Sequence, residues 1–75
     1  MFHEYRDIVT QLRQEDAHFA RLFNEHNELD EEIERLMNDP KAVVRSDEID
    51  AKKREKLRLK DELYRLIKEK EAEQS

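Results

Sequence analysis

The sequence predicts an all-α fold: an antiparallel two-helix hairpin, coiled-coil-like, assembled with further copies of itself into a homo-oligomeric helical bundle. Three observations predict it. The 75-residue chain contains no glycine and a single proline, so backbone positions needing positive φ have no cheap occupant. Charged residues make up 47% of the chain, yet the apolar residues recur at helical spacing, which disorder would not produce. The one proline, Pro40, falls between two segments that each keep that spacing.

Helix 1 is expected over about 3–37. From Tyr5 the series Tyr5, Ile8, Leu12, Glu15, Phe19, Leu22, His26, Leu29, Ile33, Leu36 steps by alternating 3 and 4, the a and d positions of nearly five heptads. Only Glu15 and His26 break the apolar rule. The neighbouring e positions are Phe2, Val9, Asp16, Phe23, Asp30 and Met37, four of them apolar. Such a stripe is wider than one seam requires, so helix 1 is expected to face more than one neighbour.

A turn is expected over 38–46, because the residue before Pro40 is pushed out of the α region. Ser46 or Asp47 can cap helix 2, expected over about 47–71, with Asp47 and Glu48 near its positive end. Ile49, Leu57, Leu59, Leu63, Tyr64, Leu66 and Ile67 spread over about half of its circumference at 100° per residue. That arc, too, is broad for one partner. With the turn centred near Ala42 and Val43, facing residues carry numbers summing to about 85. The hairpin core is then Phe19, Leu22, His26, Leu29, Ile33 and Leu36 against Ile49, Leu59, Leu63, Leu66 and Ile67, and Glu15 faces Lys70.

This register leaves Phe2, Tyr5, Ile8, Val9 and Leu12 beyond the end of helix 2, with nothing opposite them in the chain. Apolar groups left in water mark an interaction surface. Together with Phe23 they form the expected contact with a second copy, in a dimer or tetramer, or with another helical protein. Size supports this. The chain has 27 apolar residues, five of them alanines, and no cysteine for a disulfide, so self-association or a metal is the remaining reinforcement for so small a core.

No catalytic or cofactor-binding residue is expected, and no metal. His26 and Asp30 lie one turn apart and could offer two ligands, short of the three or four that zinc takes. His18 lies about 12 Å from His26 along a helix. His26 is read as a polar residue in the seam that fixes register, with opposing influences on its pKa from burial and from Asp30. The acids Glu25, Glu28, Asp30, Glu31, Glu32 and Glu34 are read as a solvated face, since a hairpin has no cleft to perturb them. No stretch approaches a membrane span or a signal peptide, and a cytoplasmic protein is expected.

Residues 51–60, AKKREKLRLK, carry six positive charges and one negative. Lys52, Lys53, Arg54, Lys56, Arg58 and Lys60 could bind a phosphate backbone, and a nucleic-acid- or ribosome-associated factor is the alternative function. The chain as a whole is at −5, and this run faces residues 25–34, with six acids and no lysine or arginine. Internal complementarity accounts for both.

The stretches MFHEYRDIVTQL, HFARLFNEHNELDEEI and KKREKLRLKDEL resemble the small bacterial YdcH-like proteins, a family of unknown function. Phe19, Leu22, Phe23, His26, Asn27, Leu29, Asp30 and Ile33 carry the resemblance in helix 1. Lys56, Leu57, Leu59, Lys60, Asp61 and Glu62 carry it in helix 2. The family pattern has proline where this chain has His3, which touches only the start of helix 1. The resemblance implies a bacterial, cytoplasmic helical hairpin and transfers no catalytic residue. The function expected is therefore that of a structural or protein-interaction module acting through an apolar coiled-coil face.

Overall fold

The computed structural model describes residues 5–74. They form three helices: α1 (Arg6–Glu15), α2 (Ala17–Met37) and α3 (Ser46–Gln74). The molecule measures 48 × 21 × 16 Å, a length close to the ~44 Å of a 29-residue helix at about 1.5 Å per residue. α3 is thus the spine on which the other two helices lie.

α2 and α3 run antiparallel in the register read from the sequence. Lys52 reaches Glu32 at 2.7 Å, Lys70 reaches Glu15 at 3.2 Å, and Lys56 pairs with Asp30. These pairs have numbers summing to 84, 85 and 86. The turn at 38–45 is held by its own polar groups: the Asp39 carboxylate accepts from the Lys41 amide at 2.8 Å, and the Ala42 amide donates to the Asp39 carbonyl at 2.9 Å. Of the residues expected in the hairpin core, Phe19, His26, Ile33, Ile49, Leu59, Leu63 and Ile67 are buried, while Leu22, Leu29, Leu36 and Leu66 are half-buried.

The expected single helix over 3–37 is corrected to two helices, and its start lies outside the described residues. The chain leaves the α region at Asp16, where φ is −123° and ψ is 104°. An aspartate is a poor residue within a helix and a strong one at its start, because its carboxylate competes for backbone donors. Here it accepts from the His18 amide at 3.0 Å and the Phe19 amide at 3.1 Å, while its own amide still donates to the Leu12 carbonyl at 2.8 Å. Two of the orphan donors of α2 are satisfied by the residue that breaks the helix.

The break lets α1 turn back over the hairpin, so the unopposed overhang is corrected as well. Val9 and Leu12 are buried in one cluster with Phe19, Leu63 and Ile67, and Tyr5, Ile8, Leu22, Phe23 and Leu66 pack against it. The physical reason is burial. A straight helix would leave these side chains in water, and covering two large ones is worth roughly 3–6 kcal/mol, more than one capped interruption costs.

Candidate interaction surface

One face of the α2–α3 pair explains the breadth of both apolar arcs. On α2 it follows Phe23, His26, Asp30, Ile33 and Met37, each one turn from the next; on α3 it follows Lys53, Leu57, Lys60, Tyr64 and Lys68. Phe23 and Met37, two of the apolar e positions that widened the stripe, lie along it together with Asp30. The two halves of this face differ in what covers them.

The half nearer the open end carries α1. Toward α3, the Tyr5 ring meets Tyr64 edge-on with centroids 6.2 Å apart, and Lys68 Nζ donates to the Tyr5 hydroxyl at 2.7 Å. Gln74 Nε2 donates to Gln11 Oε1 at 2.6 Å, and Lys70 meets Glu15. Toward α2, the Arg13 guanidinium lies 4.8 Å from the centre of the Phe23 ring, which stacks on Phe19 at 6.0 Å. So α1 turns an acid and a hydroxyl to the lysines of α3 and an arginine to α2. Of the residues expected to meet a second copy, Val9 and Leu12 are buried and Tyr5, Ile8 and Phe23 half-buried, all by the chain itself; Phe2 lies outside the described residues.

The half nearer the turn is open. A groove of about 550 Å³ runs between Asp30, Ile33, Glu34, Met37 and Asn38 on α2 and Lys53, Lys56, Leu57 and Lys60 on α3. Its floor is Ile33. Met37 and Leu57 on its walls are 53% and 55% exposed. A shallower hollow continues past Met37 and Lys53 to Ala42, Val43 and Ile49. Sequence reasoning placed Met37 in the wide stripe and Leu57 in the broad arc, and did not join them into one groove.

The charges of the basic run divide. Lys52 and Lys56 cross to Glu32 and Asp30, and Arg58 meets Glu55 on its own helix at 2.5 Å. These contacts hold the Asp30 and Glu55 carboxyls below their ordinary range and raise Lys52, the hydrogen bond to the partner being the largest cause in each case. Lys53 and Lys60, on the groove, make no ion pair among the described residues.

His26 is only 3% exposed, between the two halves. Burial pushes its pKa down. A hydrogen bond with Asn27 and the charge of Asp30 oppose that, and the charges of Lys56 and Lys60 add to it. The influences left in balance by the sequence resolve in favour of the neutral ring. Among the described residues no group of three or more His, Asp or Glu side chains is placed to hold a metal ion, and no helix is long and apolar enough to cross a membrane.

A family model described as "Protein of unknown function (DUF465)" matches residues 19–67. The chain belongs to the DUF465 family. The matched segment takes in α2, the turn and α3 as far as Ile67, and so contains the whole groove. Two similar relatives are the uncharacterized protein YdcH of Escherichia coli (strain K12) and that of Shigella flexneri. Each is 38% identical over 69 residues, 92% of this chain and 92% of the relative. The likeness to YdcH drawn from the helix motifs is thus shown, and DUF465 membership carries no assigned activity. No solved structure matches the chain.

Proposed function

We propose that this DUF465 chain is a protein-interaction module whose α2–α3 face receives a further helix in the groove between Ile33, Met37 and Leu57. The observation that carries the reading is that one continuous helical face is filled by a helix over one half and left open, with large apolar side chains exposed, over the other. The role proposed is binding: among the described residues the groove is lined by apolar side chains, lysines, acids and one asparagine, with no serine, threonine or histidine. The reading takes the chain to act in the cytoplasm, a reducing compartment where a chain without cysteine loses nothing.

The test is a photo-crosslinking residue placed at Leu57 or, as a control, at the exposed Arg58, in the bacterial host. A specific adduct from position 57 that disappears with Met37→Asp supports the module. Equal labelling from both positions removes it.

Self-association is retained in altered form, through exchange of α1 between two copies. One observation favours it: the heptad series runs through Asp16 without a change of phase, so a straight α1–α2 helix would keep its apolar face and seek cover on a partner. Sedimentation at micromolar concentration should then detect a dimer that Ile8→Asp abolishes. The nucleic-acid alternative is weakened by Lys52, Lys56 and Arg58 being held by carboxylates. It requires affinity that falls steeply between ~50 and ~200 mM salt.

A further inference from the structure

We infer that the helix received by the groove is an amphipathic one whose α3-facing flank is acidic; the inference rests on the interaction-module reading and gives that partner its chemistry.

α1 shows how this face recognises a helix. α1 lies on the same stripes of α2 and α3 one level higher. Its apolar residues reach the seam, Glu15 meets Lys70, and the Tyr5 hydroxyl accepts from Lys68. Lysines on α3 therefore take acceptors from the third helix. Below the start of α1 the stripe of Lys68 and Tyr64 continues as Lys60, Leu57 and Lys53, so these lysines share the side of Lys68, while Lys70 stands on the opposite flank of α3. What is missing is the acceptor: Lys53 and Lys60 make no ion pair among the described residues, while Lys56 between them is already held by Asp30.

Two unmatched lysines seven residues apart, two turns on one helix edge, bracket an exposed leucine. A helix seated over Leu57 and Ile33 would bring residues of its own flank level with both. Acids there would form two partly shielded pairs, whereas lysines would add like-charge repulsion beside Lys56. The groove spans from residue 30 to residue 37 on α2, about 10 Å at 1.5 Å per residue, so the seated segment is two to three turns long. A second copy is a poor source. Among the described residues it offers no free helix to seat: its α1 is packed on α2 and α3 through Val9 and Leu12, and the large apolar residues it leaves exposed, Met37, Val43, Val44 and Leu57, belong to this same groove and the adjoining turn.

The probes are two synthetic helical peptides of about ten residues with one shared Leu/Ile stripe. One carries glutamates along a flank, the other lysines at those positions, and the remaining positions are glutamine and alanine. Each is titrated into the full isotope-labelled chain, and the methyl resonances of Ile33, Met37 and Leu57 are followed. The glutamate peptide is expected to bind roughly tenfold more tightly at ~50 mM salt, with the advantage shrinking by ~0.5 M as charges are screened. The Lys53→Glu, Lys60→Glu variant, altered only on an edge that is exposed or half-buried, is expected to reverse the preference. Leu57→Asp is expected to abolish binding of both.

Equal binding of the two peptides would overturn the acidic-flank inference and leave the docking reading standing. Binding of neither would bring down the docking reading, and the inference with it. Shifts confined to Val9 and Phe23 would mean that the peptides displace α1 and that the groove is not the site. Resonances of Ile33 and Leu57 that move on Phe2→Asp before any peptide is added would assign the groove to the chain's own N-terminus. A dimer dissolved by Leu57→Asp would assign it to a second copy. Either assignment would overturn the inference.

Discussion

The covered and the open halves of the α2–α3 face are written in the same heptad pattern and meet different fates. In the covered half the stripe reads Phe23, His26, Tyr64, Lys68 and holds α1; in the open half it reads Ile33, Met37, Leu57, Lys53, and there Met37 and Leu57 stand exposed above a buried Ile33. The difference lies outside the stripe itself. It comes from where the chain can double back. The chain turns at Asp16, and the ten residues of α1 lie back along α2 so that Arg6 and Val9 line a hollow with Phe23, His26 and Asp30, while Tyr5 just before them meets Tyr64. What remains among the described residues is two turns of a three-helix surface built from two helices. An apolar heptad position is thus not by itself a buried position; it is buried where a covering element is long enough to arrive.

The comparison can be broken most strongly by truncating one leucine in each half. Leu63 is fully buried in the cluster that α1 seals. Leu63→Ala should cost about 2–5 kcal/mol in urea denaturation, whereas Leu57→Ala should stay within about 0.5 kcal/mol of the parent, as an exposed position does. Equal losses at the two sites would mean that the open half is covered in solution.

The cap that creates the difference comes next. Asp16→Ala removes the acceptor of the His18 and Phe19 amides and should lower stability by about 0.5–2 kcal/mol. Hydrogen exchange at Val9 and Leu12 should accelerate more than at Ile33 or Ile49, since only the first pair depends on α1 staying folded back. Uniform acceleration would argue that α1 and the hairpin unfold as one unit.

Acid provides a third probe, centred at the boundary between the halves. The folded pKa of His26 lies below its ordinary value of about 6.5, so the unfolded chain takes up the proton first. Stability should be intact above about pH 6.5 and fall as pH drops through that value, levelling off once the folded ring also protonates. Asp30 opposes this and Lys56 and Lys60 reinforce it, yet burial is the larger cause. Thermal melts of His26→Leu between pH 7.5 and 5 should lack this fall. The lowered carboxyls of Glu15, Asp30, Glu55 and Glu62 contribute stability only above their unfolded pKa values. Their loss appears at lower pH, near the ordinary carboxylate range, and persists in the leucine variant.

The smallest effect is expected from the cross-helix ion pairs. Lys52→Ala and Lys56→Ala should each cost about 0.2–1 kcal/mol at low salt and less as salt is added, because their partners Glu32 and Asp30 keep 41% and 56% of their side-chain surface in solvent. A loss of several kcal/mol from either would mean that register depends on these charges more than on the apolar seam.

Local periodicity made a large part of this structure legible in advance. The positions of Phe19, Ile33, Leu59, Leu63 and Ile67 in the seam follow from helical spacing alone, and the Glu15–Lys70 pair follows from the turn position, because an antiparallel register is fixed once its reversal is known. The turn itself was announced by Asp39-Pro40. Asp16 was the one ambiguous signal. In a straight helix it is a tolerable e-position residue, and at a helix start it is a favoured cap, and these alternatives differ locally by only a kcal/mol or so. The groove was illegible for a related reason: Met37 and Leu57 are far apart in the chain, and their exposure depends on where α1 stops.

The sequence by itself determined that the chain is helical, where it turns, which faces of α2 and α3 meet and in what register. Each of those properties is set by contacts within a few turns or by the fixed geometry of a helix. Packing between distant segments set the direction of α1 relative to α2 across Asp16, the covering of Val9 and Leu12, and the neutral preference of His26. The first two depend on burial against Leu63 and Ile67, more than fifty residues along the chain from Val9 and Leu12, and the third on the burial of His26 between helices; no local pattern contains that energy, and it outweighs the small local cost of ending one helix and starting another.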